Sequence, residues 1–148
     1  MTLQEAKSIA RHLGLTPRLL RFGNYRVKIA RAASQLYHDG HYAHAFEDAV
    51  KALNGLVRLR SGLDIDGTTL MEKALSPNNP ILKFNDLSDE SDRNEQKGFM
   101  MMFSGPVSGL RHPRAHGFIE DDPERALEFI AFVSLLAKLL DGAKKQAR

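Results

Sequence analysis

Apolar residues recur at steps of three and four along most of this chain, and the pattern predicts helices almost throughout. Leu3, Ala6, Ile9, Ala10 and Leu13 form the first such set, and Gly14 stops it. From Leu15 to Tyr25 the spacing is irregular, with Pro17 and Gly23 as breakers, and a second helix is predicted over about Val27 to Tyr37, closed by Asp39-Gly40. The clearest helix runs from His41 to about Arg60. Its stripe Tyr42, Ala45, Phe46, Ala49, Val50, Leu53, Leu56 and Val57 faces a core, while His44, Glu47, Lys51, Asn54 and Arg58 form one polar ridge on the other side.

Beyond Gly62, the segment LDIDGT reads as a turn into a short helix over Thr68 to Ala74, broken before Pro77 and Pro80. Asn85 to Asn94 is acidic and polar and is expected to be a mobile loop. Helical character resumes around Glu95 and reaches residue 111, with a kink expected near Ser104 because Gly98, Gly105 and Pro106 interrupt it. The last helix is announced by Asp122 as N-cap, Pro123 at the first helical position and Glu124 in the first turn, and Gly142, Lys144 and Lys145 end it. No period-2 strand is evident. The fold class expected is all-α, a bundle of four to five helices, in one domain over residues 1–148.

Composition narrows the picture. A chain of 148 residues can bury a real core, and with no cysteine it has neither disulfides nor thiolate metal ligands. No apolar span approaches the roughly 20 residues of a membrane helix, and the charged first 15 residues do not form a signal peptide, so a cytoplasmic protein with no membrane partner is expected. The net charge of +3 decides little, but its distribution is uneven. Lys7, Arg11, Arg18, Arg21, Arg26, Lys28 and Arg31 face the single acid Glu5 over residues 1–31, which makes residues 1–30 either a basic helical extension that follows a phosphate backbone or a solvated terminal face.

The densest chemistry lies in GLRHPRAHG, residues 109–117, where two arginines and two histidines occupy six positions. Pro113 pushes His112 out of the helical region, so the preceding helix should stop at Arg111 or His112, where its dipole favours a protonated imidazole. If the turn folds back, Arg111 and His116 converge on one anion. A guanidinium fork can then hold phosphoryl oxygens while an imidazole exchanges a proton with a ribose 2′-hydroxyl or a leaving oxygen. An ordinary cationic C-cap explains the same residues without chemistry.

Arg111-x-x-x-x-His116, with polar His112 directly after the arginine, resembles the RxxxxH motif of the HEPN superfamily. The likeness extends over residues 33–142. HDGHYAHAFEDAVKALNGLVRLRSGLDIDGTTLM, LKFNDLSDESDRNEQKGFMMMFSG, GLRHPRAHGF and DDPERALEFIAFVSLLAKLLDGA together look like its Ymh-type branch, associated with abortive phage infection and toxin systems. The resemblance implies a HEPN-like core of about four helices that homodimerises with two motifs face to face. It further implies a metal-independent endoribonuclease that cuts RNA by 2′-hydroxyl attack. Under it Arg111 polarises the phosphate, His116 is the general acid or base, and His112, which stands where the branch most often has asparagine, orients loop or substrate. Glu47 or Asn54 supports the motif, and Arg114, Lys51 and Arg58 contact RNA. No cofactor is expected. An antitoxin or defence-system partner is, and the alternative is a non-catalytic module that grips a nucleotide or RNA.

Two further constellations have plainer explanations. His41 and His44 have the i,i+3 spacing of metal ligands and His38 lies nearby, but no third ligand sits at a fixed offset and exposed histidines at a helix start account for them, so no metal is expected. Met100, Met101 and Met102 fit core filling better than an adaptable contact surface.

Overall fold

The computed structural model describes residues 4–5, 8–9, 24–111 and 122–147, with Asn24, Leu110 and Arg111 described by backbone alone. Five α-helices are found among the described residues: α1 (Asn24–His38), α2 (Tyr42–Ser61), α3 (Gly67–Leu75), α4 (Glu90–Gly105) and α5 (Pro123–Asp141). A π-helical turn, Pro106–Arg111, continues α4. The all-α architecture expected from the periodicity is therefore the one observed. The predicted first helix over 3–13 and the irregular stretch before residue 24 lie outside the described residues or are only sparsely described.

The helix α2 is the axis of the molecule. It packs on α1, α5, α3 and the π turn, and its stripe Phe46, Val50, Leu53 and Val57 is fully buried. Ile29 and Ala33 close the core from α1, Leu70, Met71 and Leu75 from α3, and Val133, Leu136 and Leu140 from α5. The ends are set by local chemistry. Gly62 takes a left-handed conformation, φ +76°, and its amide donates to the Arg58 carbonyl at 2.8 Å, a stop that an L side chain would strain. At the other chain end Asp122 accepts from the Arg125 amide at 2.8 Å and Pro123 opens α5, as the capping pattern predicts.

Two expectations are corrected. The acidic stretch is not a loop throughout, because α4 begins at Glu90 rather than near Glu95. Asp89 caps it by accepting from the Asp92 amide at 2.8 Å, and Glu90 and Asp92 lie in the first turn, where the helix dipole favours acids. The Ser88 amide and hydroxyl both donate to Asp92 and hold its carboxyl below the ordinary range. Strand is also present: β1 (Leu82–Lys83) pairs antiparallel with β2 (Lys144–Lys145). Two residues are too few to show a period. Helix α1 passes residues 30 and 33 without a break, with Ile29 and Ala33 in the same core.

Gln96 ties the smaller layer together. It is fully buried, its Nε2 donates to the carbonyls of Leu75 (2.8 Å) and Leu82 (3.0 Å), and its Oε1 accepts from the Phe84 amide at 2.9 Å. One side chain thus joins the end of α3, strand β1 and helix α4. The α4 ladder changes character where the kink was expected. Pro106 has no amide hydrogen, and from there the chain winds as a π turn, with Ser108 Oγ donating to the Ser104 carbonyl at 3.2 Å.

Candidate functional site

The polar ridge of α2 is the most concentrated set of interacting charges among the described residues. Glu47 stands at its centre, only 8% exposed. Lys51 Nζ lies 3.0 Å from one carboxylate oxygen and His44 Nδ1 3.4 Å from the other. Burial alone pushes the Glu47 carboxyl up, but the hydrogen bonds and charges of Lys51 and then His44 together outweigh it and hold the group below the ordinary carboxylate range. The result is a carboxylate kept ionised at the edge of the core, with partners that are themselves accessible: the side chains of His44 and Lys51 are 67% and 49% exposed.

Two turns further on, the ridge grips the loop after α2. Asn54 Nδ2 donates to Asp66 at 2.8 Å and its Oδ1 accepts from the Gly67 amide at 3.0 Å. Arg58 pairs with Asp64 and, at 3.4 Å, with Asp66. Asp64 and Asp66 were not singled out by sequence reasoning; the signal was LDIDGT, whose acids sit where a helix-following turn can fold back on the ridge. Lys51 and Arg58, expected to contact RNA, are both engaged with acids of this chain, since Lys51 also lies 3.7 Å from Asp48.

The described ends of the segment that carries the motif are anchored near the two halves of this ridge. On one side, the π turn buries Val107 against Gly67, where a Cβ would lie 3.9 Å from Val107 Cγ1. Gly67 is the residue whose amide Asn54 holds. On the other side, Tyr37 Oη donates to the Pro123 carbonyl at 3.0 Å and its ring packs edge-on against Tyr42, at 5.0 Å, at the start of α2. Burial first, then Tyr42 and Asp122, push the Tyr37 phenol up, so it stays a protonated donor. Asn54 lies twelve positions beyond Tyr42, about 18 Å along the helix, with Glu47 and Lys51 inside that interval. Arg111 is the last described residue of the π turn. His112, Arg114 and His116 lie outside the described residues.

The remaining candidates resolve simply. His38, His41 and His44 do not gather into a metal site, and among the described residues no group of three or more His, Cys, Asp or Glu does so. Met100 and Met102 pack on the core, whereas Met101 is exposed. Of the N-terminal cations, Arg26 turns inward: it is buried, its Nε donates to the Ser134 carbonyl at 3.4 Å, and burial pushes its pKa down. No described helix is long and apolar enough to cross a membrane.

A family model described as "Protein of unknown function (Hypoth_ymh)" matches residues 25–140. The chain belongs to the Hypoth_ymh family. The Hypoth_ymh match runs from the second residue of α1 to the penultimate residue of α5, so it takes in the ridge, the π turn and all of GLRHPRAHG. It also begins eight residues before the core boundary expected at residue 33, on the same continuous helix. No curated protein and no solved structure matches the chain.

Proposed function

We propose that this Hypoth_ymh protein is a metal-independent endoribonuclease of the HEPN type, built around Arg111 and His116 and supported from α2 by Glu47. The observation that carries the reading is the buried, ionised Glu47, set on a ridge beside which both described ends of the motif-bearing segment are anchored. Arg111 binds the scissile phosphate and stabilises charge developing on its oxygens. The 2′-hydroxyl attacks phosphorus and gives its proton to one imidazole; the P–O5′ bond breaks, and the departing 5′-oxygen takes a proton from a second. The products are a 2′,3′-cyclic phosphate and a 5′-hydroxyl. Two imidazoles are available if the protein acts as a homodimer with two copies of His116 in one cleft, and His112 orients the loop or the substrate. A toxin or phage-defence setting, with an antitoxin or defence partner, fits such an activity.

The decisive experiment incubates purified protein with mixed RNA in EDTA beside His116→Ala. Cleavage leaving cyclic phosphate termini, reduced about 100-fold or more in the variant, is the expected result, since general acid–base catalysis contributes on the order of 10²–10⁴. Cleavage that persists unchanged in His116→Ala removes that residue from the mechanism. The same assay tests the alternative, a non-catalytic module that grips RNA or a nucleotide. Binding without turnover selects it.

A further inference from the structure

The bundle end formed by the C-termini of α2 and α5 carries a second concentration of positive charge, remote in sequence from the motif. Arg60 holds α5 there, with its guanidinium donating to the carbonyls of Leu140 (3.2 Å), Asp141 (3.4 Å) and Ala143. The same guanidinium lies 5.9 Å from the ring centre of Tyr25, and Lys28 Nζ lies at the same distance from that ring. Lys145 Nζ is 3.5 Å from where a Cβ on Gly62 would stand, and Lys144 is the cross-strand partner of Lys83. Lys28 and Arg60 share the Tyr25 ring, Lys145 lies over Gly62 two residues beyond Arg60, and Lys144 and Lys83 pair across the short ladder, so these residues gather at one end of the molecule.

Helix ends account for part of this patch and not for the rest. Arg60 caps carbonyls that α5 leaves open, and Lys145 sits over the end of α2, so both complement the dipoles. Lys28, Lys83, Lys144 and Lys145 make no ion pair among the described residues. Setting Lys83 directly opposite Lys144 in the shortest possible ladder is destabilising on its own. Three acids are close. Asp86 and Asp92 line, with Lys83 and Lys144, an adjoining cavity of about 300 Å³, and Asp141 is exposed at the end of α5. Asp92 is already committed to Ser88. The cations remain in excess, and they are spread over α1, α2 and both strands instead of clustered around a point, which suits a chain of phosphates better than a single anion.

We infer that this patch binds the phosphodiester backbone of single-stranded RNA, holding the strand that the α2 ridge receives. Arg60 lies six residues beyond Asn54, about 9 Å along α2 and a third of a turn round it, so one strand of a dozen nucleotides spans both. The inference rests on the nuclease reading for its choice of RNA and for the strand's path past α2, and a strand that cannot be cut tests the binding separately. The probe is a fluorescent 2′-O-methyl single-stranded RNA of twelve nucleotides, titrated with the full chain by anisotropy over a range of salt. Replacing Lys28, Lys83 and Lys144 together by Gln should weaken binding at least tenfold at low salt. It should also lower the salt slope by about 2, close to 0.7 for each lost phosphate contact on a single strand. The control pair Lys73→Gln and Lys97→Gln, on α3 and α4, should change neither. An unchanged slope in the triple variant, or an equal loss in the control pair, overturns the proposal. So does equally lysine-dependent binding to vesicles of anionic phospholipid, which reassigns the patch to membranes. Cleavage assays on unmodified RNA report the other reading, so either can fail alone.

Discussion

Gln96 and Glu47 are both polar residues carried into the interior by a helix, and the molecule treats them oppositely. Gln96 is neutral, and all its bonds go to backbone groups of other elements: two carbonyls and one amide between Leu75 and Phe84. Such a clamp is complete, leaves nothing to exchange with a ligand, and fixes where α4 lies. Glu47 is charged, and it pairs with two side chains of its own helix, His44 and Lys51, that reach in from solvent. Those partners stand on the solvent side, where a ligand can compete for them. The first residue holds the fold together; the second keeps a charge ready at a surface.

The contrast is broken most directly at Gln96. Gln96→Leu fills similar space but leaves two carbonyls and an amide without partners, and each buried orphan costs about 1–3 kcal/mol. Urea unfolding should show a loss of about 3–5 kcal/mol; a loss below 1 kcal/mol would mean water takes over the clamp and the contrast is empty. Asn54 is an intermediate case, with one bond to a side chain and one to backbone. Asn54→Ala should cost about 2 kcal/mol and raise amide exchange at Gly67, with the rest of the fold unaltered. Unchanged protection at Gly67 would show that Val107, not Asn54, seats that turn.

These residues also show which parts of the structure the sequence carries openly. The helix α2 is legible nearly to the residue, His41 to Arg60 expected against Tyr42–Ser61 observed, because its stripe is long and unbroken. Helix α5 is legible from Asp122 and Pro123. The start of α4 is not, since its first turns are polar and Gln96 is the sole buried residue before Phe103; a neutral clamp has no hydropathic signature. The acid-rich cap, Asp89 with Glu90 and Asp92, was the available signal, and the net acidity of the stretch masked it. At the site, the ridge follows from spacing alone. Its closure by Asp64 and Asp66 depends on a loop folding back, which no periodicity records.

The smallest and most discriminating effect belongs to Glu47→Gln. Near neutral pH the change removes an ionised group together with the desolvation that opposes it, so stability should shift by no more than about 1 kcal/mol. Its pH dependence is the sharper readout. The folded protein holds this carboxyl below its ordinary value of 4.5, so between the two values the unfolded chain binds more protons and stability rises with pH. The Glu47 contribution is therefore fully present above 4.5 and is lost as pH falls through the lowered value. Unfolding curves of wild type and variant, taken from neutral pH downwards, should differ by a constant amount and then converge in the acid range. A variant that instead loses as much as Gln96→Leu at every pH would make Glu47 another fixed clamp, and a carboxylate so fully committed to the fold would not fit the supporting role proposed for it.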